Sequence, residues 1–185
     1  NIAMDLMTGD FVFMFDDDIL LEEDFVERTL SVFETPSEPA VGCVLGTFTS
    51  PHRPRGWQQH WFRIFGMTRS VEGRHASLHP GGGVTWLIEP PEVVRVPVAS
   101  GGRTAYRAEA IESERFDEFL PGYTLAEDVE FSYRVAKTWS ILQSPDCRLF
   151  HKRSPTSRVD YGDRVSRLIY SRYYFFKKHL PKDAT

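Results

Sequence analysis

The pattern of apolar and polar positions predicts strands that alternate with helices. Residues 11–15 form a continuous apolar run, which indicates a buried strand at the centre of a sheet, parallel to its neighbours. A helix is predicted over residues 21–34, because apolar side chains recur there at helical spacing and the first turn is acidic. A second strand is predicted over 41–49. This alternation favours an α/β fold.

The rest of the chain continues the alternation. An aromatic helix is predicted at 57–65, and strands are predicted at 84–88, 93–98, 141–142 and 147–150. A tight loop at 100–102 leads into residues 104–107. Thr124 and Glu127 have the spacing of a capping box, so a helix should begin near Leu125 and run to Lys137. A last helix, basic and aromatic, is predicted over 160–180. The 185 residues are enough for one domain, so residues 1–185 are expected to form a single domain.

Composition and charge narrow the class of protein. Hydrophobic residues make up 41% of the chain and charged residues 26%, which excludes a disordered or coiled-coil chain. No apolar run reaches about 18 residues, so no membrane-spanning helix is predicted. The net charge of −4 argues against nucleic acid as a partner. Residues 1–40 nevertheless hold eleven acids and one base, which suits a cation, and residues 148–182 hold ten bases and two acids, which suits phosphates or an anionic surface.

The cysteines and the start of the chain bear on location and completeness. Cys43 and Cys147 lie in apolar strand-like runs and are predicted to be buried, reduced thiols. Without a secretory signal or a cysteine framework, a reducing, cytoplasmic location is expected, or the cytoplasmic face of a membrane. The chain opens without Met, inside what resembles the end of a helix, so we expect an upstream segment.

The strongest chemical signal is the acidic triplet Asp16-Asp17-Asp18, directly after the first predicted strand. Three adjacent carboxylates repel one another, and a hard divalent cation such as Mn²⁺ or Mg²⁺ relieves that repulsion through oxygen ligands. If the strand continues one step, Asp16 and Asp18 point to one side and Asp17 to the other. The alternative is a solvated acidic turn before the next helix.

Two further groups carry candidate chemistry. Glu127 and Asp128 fall in the first turn of a predicted helix, where the dipole favours the ionised form and a carboxylate can serve as a general base. Acidic residues are also common there without any such role. His151, Lys152 and Arg153 follow a predicted strand; the histidine can ligate a metal and the two bases can hold a diphosphate. The alternative is a basic surface turn.

Four segments, taken in order, resemble the family 2 glycosyltransferases of the GT-A fold. They read GDFVFMFDDDILLEEDFVE, VASGGRTAYRAEAI, FDEFLPGYTLAEDVEFSYRV and CRLFHKRSP. The resemblance covers most of the chain outside residues 50–95. It implies a Rossmann-like mixed sheet flanked by helices, from which the N-terminal nucleotide-binding half is missing. It also implies an enzyme of polysaccharide or cell-envelope biosynthesis.

The resemblance assigns a role to each motif. Asp16 and Asp18, with His151, would hold Mn²⁺ or Mg²⁺ on the diphosphate of a nucleotide-diphosphate sugar. Asp128 would be the catalytic base that deprotonates a saccharide or lipid-linked acceptor, and transfer would invert the anomeric carbon. The expected donor-binding residues are Asp16, Asp17, Gly101, Gly102, Glu127, Lys152 and Arg153. Because the Q-x-x-R-W signature of processive synthases is absent, transfer of a single sugar is expected.

Other interpretations stay open. A phosphatase of the haloacid dehalogenase type also places D-x-D after an apolar strand, with Asp16 as nucleophile and Asp18 beside it, although Ile19 departs from its pattern. The sequence argues less firmly against a sugar-nucleotide pyrophosphorylase than against the phosphatase. A non-catalytic, cation-stabilised binding module would carry the same carboxylates. The last helix either packs back on the domain or makes peripheral contact with an anionic membrane.

Overall fold

The computed structural model describes residues 1–49, 69–71, 75–79, 82–119, 125–152 and 161–179. A six-stranded mixed sheet dominates this part of the chain, and a second sheet has three short strands. The helices are α1 (Ile2–Asp5), α2 (Phe25–Phe33), α3 (Ala108–Ile111), α4 (Glu127–Val135) and α5 (Tyr161–His179). The strands are β1 (Phe11–Phe15), β2 (Ile19–Leu21), β3 (Val41–Phe48), β4 (Arg69–Val71), β5 (Ser77–Leu78), β6 (Val84–Leu87), β7 (Val94–Arg95), β8 (Arg103–Arg107) and β9 (Ser140–His151).

The large sheet has the strand order β1-β8-β3-β9-β2, and β7 also pairs with β9. Only the β3–β9 pair is parallel among these described strands, and the remaining pairs are antiparallel. The small sheet has the order β4-β6-β5. The predicted α/β class with a mixed sheet and flanking helices is therefore confirmed.

The central strands are apolar on both faces because helices cover both sides of the sheet. Along β3, Cys43 and Leu45 pack with helices α3 and α4, whereas Val44 packs with helix α2 on the opposite face. Alternate residues of β8 and β9 divide between the same two cores. Burial of both faces explains why β3 is apolar without interruption. A sheet with one face in water would alternate apolar and polar residues. Both predicted buried thiols, Cys43 and Cys147, are buried and free.

Several local predictions were wrong in position. Strand β1 is not central or parallel to its neighbour: among the described strands it lies at the sheet edge and pairs antiparallel with β8. The first long helix begins at Phe25, because Ile19–Leu21 form an extra strand against β9. Residues 140–151 form one long strand in place of two short ones. The predicted helix at 57–65 lies outside the described residues.

Helix α4 does not begin with the predicted capping box. Its N-cap is Ala126, in the left-handed conformation with a φ of 75°, and this residue makes no side-chain cap hydrogen bond. Thr124, the other half of the predicted box, lies outside the described residues. The acidic residues Glu127 and Asp128 lie in the first turn of this helix, where negative charge is favourable. Oδ1 of Asp128 accepts a hydrogen bond from the first-turn N–H of Val129.

Helix α5 packs against helix α4 through a small apolar cluster and a buried carboxylate. Phe175 is buried with Val129, and its ring makes an edge contact with Tyr133. Glu130 is buried and accepts hydrogen bonds from Lys178 Nζ at 2.8 Å and from Arg134 Nε at 3.0 Å; His179 Nε2 lies 2.8 Å from the same carboxylate. No helix in the described part of the chain is long and apolar enough to cross a membrane.

The buried ion cluster predicts a stability effect. Glu130→Gln removes the most deeply buried of the negative charges that pair with Lys178 and Arg134, which keep Asp117 and Glu114, so we expect the free energy of unfolding to fall by about 3 kcal/mol. Urea denaturation measures the change. Glu27→Gln, at an exposed glutamate in the first turn of α2, is the matched control and should have little effect. Equal stability of the two variants would show that Glu130 does not hold α5 in place.

Candidate active site

Two antiparallel strand pairings bring the sequence motifs together. Phe15 stands opposite Arg103 in the β1–β8 pair, which places the turn before β8 beside the end of β1. Ile19 stands opposite His151 in the β2–β9 pair, which places the histidine beside Asp18. The backbone N–H of Lys152 donates to the carbonyl oxygen of Asp18 at 3.0 Å and extends this pairing.

Asp16, Asp18 and His151 form a candidate metal site. Each offers one ligand atom, and these atoms lie within 4.8 Å of one another. Oδ1 of Asp18 lies 2.9 Å from Nε2 of His151, and the imidazole ring packs against the ring of Phe48 with centroids 5.4 Å apart. Two carboxylates and one imidazole form a donor set suited to Mn²⁺, and the two carboxylates also suit Mg²⁺.

The Gly101-Gly102 turn fits between two carboxylates. Gly102 has a φ of +76°, and a Cβ atom there would lie 2.5 Å from Cγ of Asp16. A Cβ atom at Gly101 would lie 3.3 Å from Oδ2 of Asp128. Gly101 therefore lies against the helix α4 carboxylate and Gly102 against the metal-site carboxylate. At Gly102 the positive φ and the close approach of Asp16 both require glycine.

Asp128 is held by backbone donors on both of its oxygens. The N–H of Gly101 donates to Oδ2, and the N–H of Val129 donates to Oδ1 at 2.8 Å. Burial raises the pKa of this carboxyl above its usual value and the charge of Asp16 adds to the rise, whereas the backbone donors oppose it. The geometry thus fixes the carboxylate of Asp128 in one orientation near Asp16.

Glu127 differs from its neighbour in having an unsatisfied oxygen. Its Oε2 is buried and has no hydrogen-bond partner within the described structure. Burial, followed by the charges of Asp128 and Asp16, raises the pKa of Glu127 to about 7. The two adjacent carboxyl groups therefore differ in their environment. Asp128 is hydrogen-bonded to the backbone, whereas Glu127 takes up a proton near neutral pH.

Arg103 is a site residue that the sequence analysis did not find. Its side chain is 5% exposed and lies over the ring of Phe48 at 4.7 Å. Its Nε donates to Oγ of Ser100 at 2.8 Å and its Nη1 to the carbonyl oxygen of Gly46 at 3.1 Å. Burial lowers its pKa to about 10, an effect that Asp128 opposes, so the guanidinium remains positive at neutral pH. The only sequence signal was an arginine inside an otherwise buried strand.

The remaining predicted site residues contribute less to this cluster. Asp17 is exposed and lies outside the group of possible metal ligands. Lys152 is exposed, and its backbone N–H contacts Asp18. Arg153 lies outside the described residues.

Comparison with known proteins finds similarity at the level of the fold. No family model and no curated protein matches the chain. Thirty-two chains of solved structures match it. One is the crystal structure of GalNAc-T7 with UDP, GalNAc and Mn²⁺, at 14% identity and a TM-score of 0.54 over 80% of this chain. This chain spans 28% of that chain's length. The likeness shows a GT-A glycosyltransferase fold and confirms the predicted fold class.

The glycine turn predicts a specific effect on metal binding. In Gly102→Ala the new Cβ would displace the Asp16 carboxylate and strain the backbone, so we expect Mn²⁺ affinity to fall roughly tenfold or more. Titration followed by electron paramagnetic resonance of free Mn²⁺ measures it. Gly9→Ala is the control, since its Cβ makes only an ordinary contact of 3.5 Å with the Phe11 carbonyl. Unchanged affinity in a folded Gly102→Ala protein would contradict the placement of Asp16.

Glu127 predicts a pH dependence of stability in the metal-free protein. Its pKa is about 7 in the folded chain against an ordinary value of 4.5, so the folded state holds the proton more tightly. Wild type therefore loses stability as pH rises from about 4.5 to about 7, whereas Glu127→Gln does not lose this contribution. Thermal unfolding in a chelator should show the variant gaining on wild type over this range. A difference in Tm that is independent of pH would refute it.

Proposed function

We propose that this chain carries the metal-binding and acceptor-activating residues of a family 2 glycosyltransferase. The reaction is transfer of one sugar from a nucleotide-diphosphate sugar to an acceptor hydroxyl, with inversion at the anomeric carbon. A single observation carries the proposal: Asp16, grouped with Asp18 and His151 as a possible metal ligand, lies across the Gly101-Gly102 turn from a fixed carboxylate, Asp128. The GT-A fold supports it.

The donor set fits a divalent cation of the Mn²⁺ or Mg²⁺ type. Asp16, Asp18 and His151 supply two oxygens and a nitrogen, and the missing Cβ of Gly102 leaves room for the Asp16 carboxylate. Bound there, the cation would neutralise charge that develops on the leaving diphosphate. The three side chains would orient the diphosphate towards the Gly101-Gly102 turn. The GalNAc-T7 structure contains both UDP and Mn²⁺, which makes UDP the first nucleotide to test.

Asp128 is the proposed catalytic base. A base must be ionised and aimed at the acceptor hydroxyl, and the two backbone N–H donors of Gly101 and Val129 favour both conditions. Its raised pKa makes it a better proton acceptor than an exposed aspartate. Inversion requires that the acceptor attack from the face opposite the leaving group, so Asp128 and the metal site would stand on opposite sides of the donor sugar.

Glu127 is proposed to contact the donor through its unsatisfied oxygen. A buried carboxyl oxygen without a partner is costly, and a sugar hydroxyl placed there would remove the cost. Gly101 and Gly102 would border the sugar, because their lack of side chains leaves backbone at the surface of the site. Asp17, Lys152 and Arg153 are proposed to contact the nucleotide-diphosphate. The acceptor is proposed to be a saccharide or a lipid-linked sugar.

Two variants separate binding from chemistry. In the natural full-length polypeptide, we expect UDP, or else GDP or dTDP, to bind only with Mn²⁺ or Mg²⁺, and Asp18→Asn to abolish that binding because it removes a ligand charge. Asp128→Asn should keep nucleotide and metal binding but lower the transfer rate by about 10²- to 10⁴-fold, the usual contribution of a general base. Calorimetry measures binding, and release of nucleoside diphosphate measures transfer.

The alternative functions give different results in the same assays. A phosphatase with Asp16 as nucleophile would hydrolyse phosphate esters and tolerate Asp128→Asn. A cation-stabilised binding module would show no turnover, and Asp128→Asn would leave its ligand binding intact. Failure of all three nucleotides to bind a folded wild-type protein in the presence of Mn²⁺ would contradict the transferase proposal.

A further inference from the structure

Helix α5 has a second apolar face that the described part of the domain does not cover. Its inner face is buried at Ser171 and Phe175. On the opposite side, Ile169 is 63% exposed, Tyr170 45% and Tyr173 60%. Residues 169 and 173 are four apart and 170 and 173 three apart, so the three side chains form one ridge on the helix surface. We call Ile169, Tyr170 and Tyr173 the outer ridge.

Helix α5, which carries the outer ridge, has an excess of basic residues. It contains one acidic residue, Asp163, and five basic ones, Arg164, Arg167, Arg172, Lys177 and Lys178, of which Lys178 is bound on the inner side by Glu130 and Asp117. Lys177 is exposed and lies four residues after Tyr173, on the same side of the helix as the ridge. The rest of the chain is acidic, and residues 1–40 hold eleven of its acids. The basic charge is therefore concentrated on the helix that also exposes the ridge.

This combination of charge and apolar surface selects among the possible occupants. A second copy of α5 would bring two positively charged helices together, which is unfavourable. An anionic lipid surface offers negative headgroups for the exposed Lys177 beside the ridge and an apolar boundary for the ridge itself. Tyrosine is favoured at that boundary, because its ring is apolar and its hydroxyl remains at the headgroups. We propose that the outer ridge docks helix α5, lying flat, on an anionic membrane surface.

The inner contacts of α5 hold the helix in place on the domain, so the outer ridge is formed before any lipid is bound. Glu130 of helix α4 binds Lys178 and His179, and Phe175 fills the cluster with Val129 and Tyr133. The helix therefore does not need to fold when it meets the lipid, unlike many amphipathic segments that are disordered in water. Helix α4 begins with Glu127 and Asp128, so docking would hold the candidate active site one helix away from the membrane. Docking itself does not depend on the proposed transfer chemistry.

Vesicle binding tests the proposal directly. Wild type is sedimented with vesicles of phosphatidylcholine alone and with vesicles containing equal parts of phosphatidylglycerol. We expect binding to the anionic vesicles only, weakened when salt rises from about 0.1 M to about 1 M and the screening length shortens. The triple variant Ile169→Ser, Tyr170→Ser, Tyr173→Ser should bind at least tenfold more weakly. Lys177→Glu should also weaken binding and reduce its dependence on salt.

A matched variant and a second measurement keep the test decisive. Ile2→Ser with Leu6→Ser removes two exposed apolar side chains elsewhere and should bind like wild type. Circular dichroism verifies that each variant is folded. We expect all of them to fold, because every substituted side chain is exposed in the wild type. Wild type that does not bind anionic vesicles, or a folded triple variant that binds as tightly as wild type, would overturn the proposal. The proposal would also be overturned if wild type were a dimer in sedimentation analysis and the triple variant were a monomer.

Discussion

Repulsion among four carboxylates is the constraint on which the candidate site depends. Asp16 and Asp18 follow strand β1, Glu127 and Asp128 begin helix α4, and Asp16 acts electrostatically on both residues of the second pair. Such a convergence is costly unless neighbouring groups offset the repulsion. His151 contacts Asp18, backbone N–H groups bind Asp128, and Glu127 holds its proton up to about pH 7. The sheet thus brings together charges that a divalent cation would bind readily.

The Gly101-Gly102 turn lies between two of these carboxylates. Asp16 lies against Gly102 and Asp128 lies against Gly101, so backbone without side chains borders both groups. Arg103 lies buried beside them, and its hydrogen bonds to Ser100 and Gly46 fix a positive charge beneath the turn. Under the proposed function, the Asp16 side of the turn would bind the metal and the Asp128 side would accept the proton. Transfer of a sugar with inversion would use such a separation, so different substitutions would probe the two sides.

The sequence predicted the local features of this site better than the contacts between distant segments. The acidic triplet, the Glu127-Asp128 pair and His151 stand out in the sequence because each follows or precedes a recognisable element. In the structure Asp16, Asp18 and His151 lie close together, and their role as metal ligands stays a prediction. The edge position of β1 could not be predicted, since strand order depends on pairings with β8 about 90 residues away. Arg103 was missed for the same reason: its burial depends on Gly46 and Phe48 of another strand. The basic charge of α5 was visible in the sequence, but which of its side chains face outward was not.

The position of a bound metal ion tests the central claim most directly. Crystals of the protein grown with Mn²⁺ and a nucleoside diphosphate can be measured by anomalous diffraction at the manganese edge. We expect one strong peak about 2.1 Å from ligand atoms of Asp16, Asp18 and His151, with the diphosphate on the side of the Gly101-Gly102 turn. A peak elsewhere in the molecule, or clear density for these three side chains with no ion between them, would contradict the assignment of the site.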